Sequence, residues 1–249
     1  MATRKDTGDR AFAVAGQGSR DHMEDEHVLL VESADPLRVL GAVFDGHRGG
    51  GVSRLARERF PALFREHVAL GAAEAFRRTF ACLDEEAASV AGGAAAAAFY
   101  LDGGEVTVAN AGDAHVAHVT PRSATRLTDE HRLSNPKERR RIDGLGAAHD
   151  NLYVYLPGGD GLMVTRALGD REFRPVGVLG EPVVSSFPVR PGFLVAGSDG
   201  LWDAVGMREL SRLLLAITTA RSAAKGLARL ALEDRAGGDN VTVLAVRLD

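Results

Sequence analysis

The fold class that this sequence predicts is an α+β layered domain in which strands and helices arrive in runs. Three observations carry that expectation. Short apolar runs, many of them valine-rich and bounded by Gly, Asp or Asn, fall at residues 11–15, 27–31 and 38–44, then at 94–101, 105–109 and 114–119, and again at 192–197 and 240–248. Between these groups apolar residues recur at helical intervals, as Phe76, Phe80, Leu83 and Ala87 do in "AEAFRRTFACLDEEAASV". The elements do not alternate strand with helix, as a doubly wound parallel sheet requires.

In chain order, the first strand group leads into helices over 52–69 and through the 73–90 stretch quoted above. The second strand group follows, and a short helix is expected over 136–143. Residues 155–191 are rich in Gly and Pro with weak periodicity, and are expected to be loops covering one end of the domain. A strand at 192–197, helices at 207–218 and 221–234, and a last strand close the order. Residues 1–10 read as a flexible N-terminus and 11–249 as a single domain. No internal repeat and no Pro- or Ser-rich linker interrupts it.

The 249 residues can bury a sizeable core, and the 45% hydrophobic and 26% charged content is ordinary for a soluble globular chain. A formal net charge of −4 provides no strong overall field to attract nucleic acid or an anionic membrane. The single cysteine, Cys82, precludes an internal disulfide and suits a reducing compartment. "MATRKDTGDR" has no apolar stretch behind its charges, and no apolar run approaches membrane-spanning length. A soluble, cytoplasmic monomer is the expectation.

Acids recur at the edges of apolar or glycine-rich turns. "VLGAVFDGHRGG" ends a core-like run on Asp45-Gly46-His47, and "SRDHMEDEHVLLV" sets Glu24 and Asp25 before a strand. Asp113 occupies a turn between strands, Asp199 ends one with Asp203 four residues later, Asp239 starts the last, and Asp170 follows a short apolar run. Each alone is ordinary turn chemistry. Packed in sheets, such acids converge on one rim, where uncompensated carboxylates repel one another. Divalent cations that prefer oxygen ligands, Mg²⁺ or Mn²⁺ rather than Zn²⁺, would neutralise them.

Seven segments in order, "RDHMED" at 20–25, "FDGHRGG" at 44–50, "ANAGDAH" at 109–115, "LTDEHRLSNP" at 127–136, "VTRALGD" at 164–170, "GSDGLWD" at 197–203 and "GGDNVTV" at 237–243, resemble the metal-dependent serine/threonine protein phosphatases of the 2C type. The resemblance implies a four-layer αββα sandwich, two antiparallel sheets flanked by helix pairs. It implies that Asp45 bridges two Mn²⁺ or Mg²⁺ ions, with the Gly46 carbonyl on one and Asp199 and Asp239 on the other, while Glu24 and Asp25 complete the shell, partly through water. Asp113 and Asp203 resemble a pair that holds a third, weaker metal. A hydroxide activated by the two metals would attack phosphorus in line, without a covalent phosphoenzyme. Arg20 would grip the phosphate and His47 would protonate the departing seryl or threonyl oxygen. Phosphorylated proteins are the implied substrates and a Ser/Thr kinase the implied partner.

The pattern also departs from the family. Asp113-Ala114-His115 stands where Asp-Ser-Arg is usual, Glu130-His131-Arg132-Leu133 replaces Asp-His-Lys-Pro, and "GGAAA" at 92–96 replaces a Gly-Ser/Thr-Thr-Ala type segment. These changes bear on the third metal and on packing at the rim. Asp170 reads as a structural turn acid rather than a ligand, and "KERRR" at 137–141 as the solvated face of a short helix. His115 and His118 are rejected as a metal pair, because an offset of three on a strand points them to opposite faces. Trp202 reads as core packing or a cap on the Asp199 turn. A catalytically silent phosphoprotein-binding or kinase-regulating relative is the alternative. A two-metal nuclease is disfavoured by the acidic charge and the lack of a basic, aromatic-laced stretch.

Overall fold

The computed structural model describes residues 9–234 and 238–249. Two antiparallel sheets stack face to face and each is covered by helices. One sheet runs in the order β1 (Ala11–Gly16), β13 (Val241–Leu248), β12 (Gly192–Gly197), β6 (His115–Val119) and β7 (Ala124–Arg126). The other runs β11 (Val183–Pro188), β5 (Glu105–Ala111), β4 (Gly93–Asp102), β3 (Leu37–His47) and β2 (Glu26–Ala34), with the short β10 (Leu168–Gly169) paired to β4.

Burial on both faces explains why the central strands read as continuous apolar runs rather than alternating ones. In β4, Ala97, Phe99 and Leu101 face the opposite sheet with Val39, Val116, Leu194 and Leu244, whereas Ala94, Ala96 and Ala98 face the helices. Those helices are α1 (Gly51–His67) and α2 (Ala72–Glu86), whose Phe60, Phe64, Phe76 and Phe80 are fully buried on the sheet. Burial of these aromatic side chains contributes about 1.5–3 kcal/mol each. On the far side, α5 (Met207–Leu214) and α6 (Ala220–Arg229) cover the first sheet through Leu210, Leu214, Ala224 and Leu227. The expected four layers are therefore present.

The region expected as loops is more ordered than its composition suggests. Val183–Pro188 pairs along β5 from Val183↔Asn110 to Pro188↔Glu105. As an edge strand it tolerates the flanking proline that a central strand would not. The hairpin β8 (Val154–Tyr155) and β9 (Gly161–Leu162) joins α3 (Pro136–Gly144) and the helical turn Arg171–Val176 around a small core of Leu133, Ile142, Val154, Leu162 and Phe173. Asn135 caps α3 by accepting from the Lys137 amide at 3.0 Å, with Pro136 preorganised at the first position.

"KERRR" is not a wholly solvated face. Glu138 is buried, and its carboxylate accepts from Arg141 at 2.5 Å, Arg166 at 2.9 Å and the Thr165 hydroxyl at 2.9 Å. Burial alone would raise its pKa, but those bonds outweigh it and hold the carboxyl at about 2.

Of the expected N-terminal segment, residues 1–8 lie outside the described residues, and Arg10 donates to the Ala34 carbonyl at 2.9 Å. Among the described residues, no helix is long and apolar enough to cross a membrane.

Candidate active site

The acids meet where strands of both sheets end at one rim of the sandwich. β3 delivers Asp45, Gly46 and His47, the β5–β6 turn delivers Asp113, α4 (Asp199–Trp202) begins with Asp199 directly after β12, and Asp239 precedes β13. Carboxylate oxygens of Asp45, Asp113 and Asp199 lie within 4.8 Å of one another. The Asp199 amide points at Asp45 Oδ2 from 3.4 Å. Glu24 and Asp239 line the same cleft of about 460 Å³. Asp25 lies beneath, buried, and accepts from the Ser198 hydroxyl at 2.7 Å. Asp203 is exposed one turn further on and falls outside the close cluster.

Two contacts pin the loop that carries Glu24. The Glu24 amide donates to Asn240 Oδ1 at 2.7 Å, while Asn240 Nδ2 donates to the carbonyls of Gln17 and His22 at 2.8 and 3.0 Å. Ser53 donates its hydroxyl to the Glu24 carbonyl at 2.6 Å. Gly46 has a steric reason to lack a side chain, since a Cβ there would lie 2.5 Å from that same carbonyl. Ser53 had no sequence signal of its own, and Asn240 stood in "GGDNVTV" without a role, because their partners lie far away in the chain.

Crowding shows in the proton affinities. Burial, then the charges of Asp25, Asp199 and Asp113, push the Asp45 carboxyl well above its usual range. Burial and the charges of Asp113 and Asp239 raise Asp199 to about 7, and burial raises Asp25 to about 6. A group of acids with this shortage of positive charge could hold a metal ion.

Two arginines supply part of the compensation. Arg20 donates to Asp239 Oδ2 at 2.7 Å. Arg132 spans Asp113 at 2.6 Å and Asp199 at 3.1 Å, a role that nothing in the sequence assigned to it. Asp170 is not an idle turn acid: its Oδ2 lies 2.6 Å from His47 Nε2, and its side chain is fully buried. His115 and His118 do not converge, since His115 bonds Thr128 while His118 meets the Arg190 carbonyl. Trp202 packs in the core and donates Nε1–H to the Gly197 carbonyl at 2.8 Å, which braces the turn into Asp199.

Strand-end acids at one rim of a two-sheet sandwich, with helix pairs on either side, are the arrangement that the resemblance to protein phosphatases of the 2C class implies. The chain belongs to the protein phosphatase 2C family, whose model matches residues 10–240. It is 32% identical over 282 residues to "Probable protein phosphatase 2C 67" of Oryza sativa subsp. japonica, covering 96% of this chain and 75% of that one. It is 29% identical over 259 residues to "Protein kinase and PP2C-like domain-containing protein" of Arabidopsis thaliana, where it spans 96% of itself and 39% of the relative. The serine-threonine phosphatase 2C of Toxoplasma gondii superposes with a TM-score of 0.82 over 96% of this chain and 94% of that one, at 20% identity, a likeness of fold.

Proposed function

We propose that the chain hydrolyses phosphoserine and phosphothreonine monoesters on proteins, using water and two Mn²⁺ or Mg²⁺ ions, without a covalent intermediate. The observation that carries this reading is the convergence of Asp45, Asp113 and Asp199 within 4.8 Å in a cleft that Arg20, His47 and Asp239 also line. The donors are all oxygen, and burial with like charge raises the carboxyls of Asp45 and Asp199, which fits hard divalent cations. Asp45, the Gly46 carbonyl, Asp199 and Asp239 would hold the ions, with Glu24 and Asp25 completing the shell in part through water. Bound there, such ions lower the pKa of water and offset phosphoryl charge.

The chain's own residues do the remainder. Arg20 offers a guanidinium fork to the phosphate oxygens, a geometry lysine reproduces poorly. His47 gives a proton to the seryl or threonyl oxygen as its bond to phosphorus breaks. A third, weaker ion between Asp113 and Asp203 would have to displace Arg132 from Asp113, so Arg132 opposes it. A Ser/Thr kinase is the matching partner, a reading supported by the Arabidopsis relative named for both a kinase and a PP2C-like domain. The cleft is built within one chain, which suits a monomer, and the free Cys82 suits a reducing cytoplasm.

The test is phosphate release from a phosphothreonine peptide in Mn²⁺, in Mg²⁺ and in EDTA, with Asp199→Ala as control. Metal-dependent release abolished by EDTA and by the substitution is expected. No turnover from folded, metal-saturated protein would favour a silent phosphoprotein-binding role, and cleavage of a phosphodiester instead would favour a nuclease.

A further inference from the structure

We infer that Asp170 is a positioning residue for His47, fixing the orientation and tautomer of the ring for proton delivery, and that Gly93 makes the pairing possible. The inference rests on the proposed role of His47 as proton donor. Asp170 Oδ2 meets His47 Nε2 at 2.6 Å, and the Asp170 side chain is wholly buried while that of His47 is a quarter exposed toward the cleft it lines. A carboxylate can only accept here, so the bond places the proton on Nε2. Nδ1 is then the nitrogen that donates: the imidazolium gives its Nδ1 proton to the leaving oxygen and becomes the neutral Nε2–H tautomer, which Asp170 holds.

The backbone is arranged around this contact. In β4, Gly93 pairs with His47 of β3 on one side and with Gly169 of β10 on the other. A Cβ on Gly93 would lie 2.0 Å from Asp170 Oδ2 and 2.6 Å from His47 Nε2, so any side chain would part the two. Asp170 itself adopts a left-handed conformation (φ 47°), which aspartate tolerates better than most residues, and its backbone N–H donates to the Gly92 carbonyl at 3.0 Å. Its Oδ1 makes no hydrogen bond among the described residues and faces Arg48 Nη1 at 3.5 Å. The double glycine of "GGAAA" thereby acquires a purpose that its composition hides.

Leaving-group dependence separates positioning from plain structural support. A nitrophenolate departs readily without a proton, whereas a threonyl alkoxide does not. In Mg²⁺-saturated protein, kcat/KM would be measured on para-nitrophenyl phosphate, phenyl phosphate and a phosphothreonine peptide for the wild type, His47→Ala, Asp170→Asn and Gly93→Ala. Each variant is expected to lose about 10- to 100-fold more on the phosphothreonine peptide than on para-nitrophenyl phosphate. If His47→Ala discriminates but Asp170→Asn loses equally on all three, Asp170 is merely structural and the inference fails, while the role of His47 stands. If His47→Ala does not discriminate, the proton-donor reading fails and takes this inference with it. A second measurement needs no variant to fold. Long-range ¹H–¹⁵N correlation of the wild-type imidazoles, at a pH where His47 is neutral, should show the Nε2–H tautomer. The Nδ1–H tautomer would overturn the inference.

Discussion

In EDTA, Asp199→Asn is expected to make the protein more stable at pH 8 while removing a proposed ligand. Folding raises the Asp199 pKa from 3.8 to about 7, chiefly by burial and then by the charges of Asp113 and Asp239. The folded chain thus holds a proton that the unfolded chain has released. Stability from that proton is fully present below pH 4 and is lost as pH rises through about 7. At 1.36 kcal/mol per pK unit the penalty at pH 8 approaches about 4 kcal/mol. The side chain is 26% exposed and shares its strain with Asp45. Solvent screening brings the expected gain for the asparagine variant to about 2–4 kcal/mol. For a chain of this size that is roughly a 5–15 °C rise in Tm.

Urea unfolding of both proteins at pH 4 and pH 8 would measure the effect. His115 and His131, which burial holds neutral with pKa values of about 3 and about 4, also make stability depend on pH. They do so equally in both proteins, so the difference between the two isolates Asp199. Near-equal stability at pH 4 and a more stable variant at pH 8 are expected. A variant no more stable than the wild type at pH 8 would refute the claim that this rim is short of positive charge.

The other expectations concern single contacts. Arg132→Ala should raise the affinity for a divalent ion beyond the first two by about tenfold, read by calorimetric titration with Mn²⁺, because the charged bond to Asp113 would no longer compete. Unchanged affinity would mean that Arg132 does not guard Asp113. Glu138→Gln should cost about 3–5 kcal/mol in urea unfolding at neutral pH, since Arg141 and Arg166 would lose their shared buried carboxylate. A cost below about 1 kcal/mol, the scale of an exposed pair, would contradict that reading.

What the sequence made legible was whatever is local. Asp45, Asp199 and Asp239 were visible because an acid at the edge of an apolar run says where a strand stops, and strand ends in stacked sheets share a rim. The α+β class followed from the order of the elements, and the four layers from the motif resemblance. Asp170 was legible as a turn but not as the partner of His47, 123 residues away, because only the β10–β4–β3 pairing brings them together. Arg132 was read as a departure from a motif, and the destination of a long flexible side chain depends on what the fold places within its reach. Val183–Pro188 lies in the Gly- and Pro-rich stretch that reads as loop, and Pro188, the preceding Pro182 and two serines weaken its strand propensity; its pairing comes from β5 rather than from its own residues.

The most direct test of the central claim is the number of Mn²⁺ ions held per chain, counted by equilibrium dialysis and mass spectrometry for the wild type and Asp45→Asn. Two ions on the wild type, and fewer on the variant, are expected if Asp45 bridges them. One ion or none on folded wild-type protein, or a count that Asp45→Asn leaves unchanged, would contradict the two-metal account.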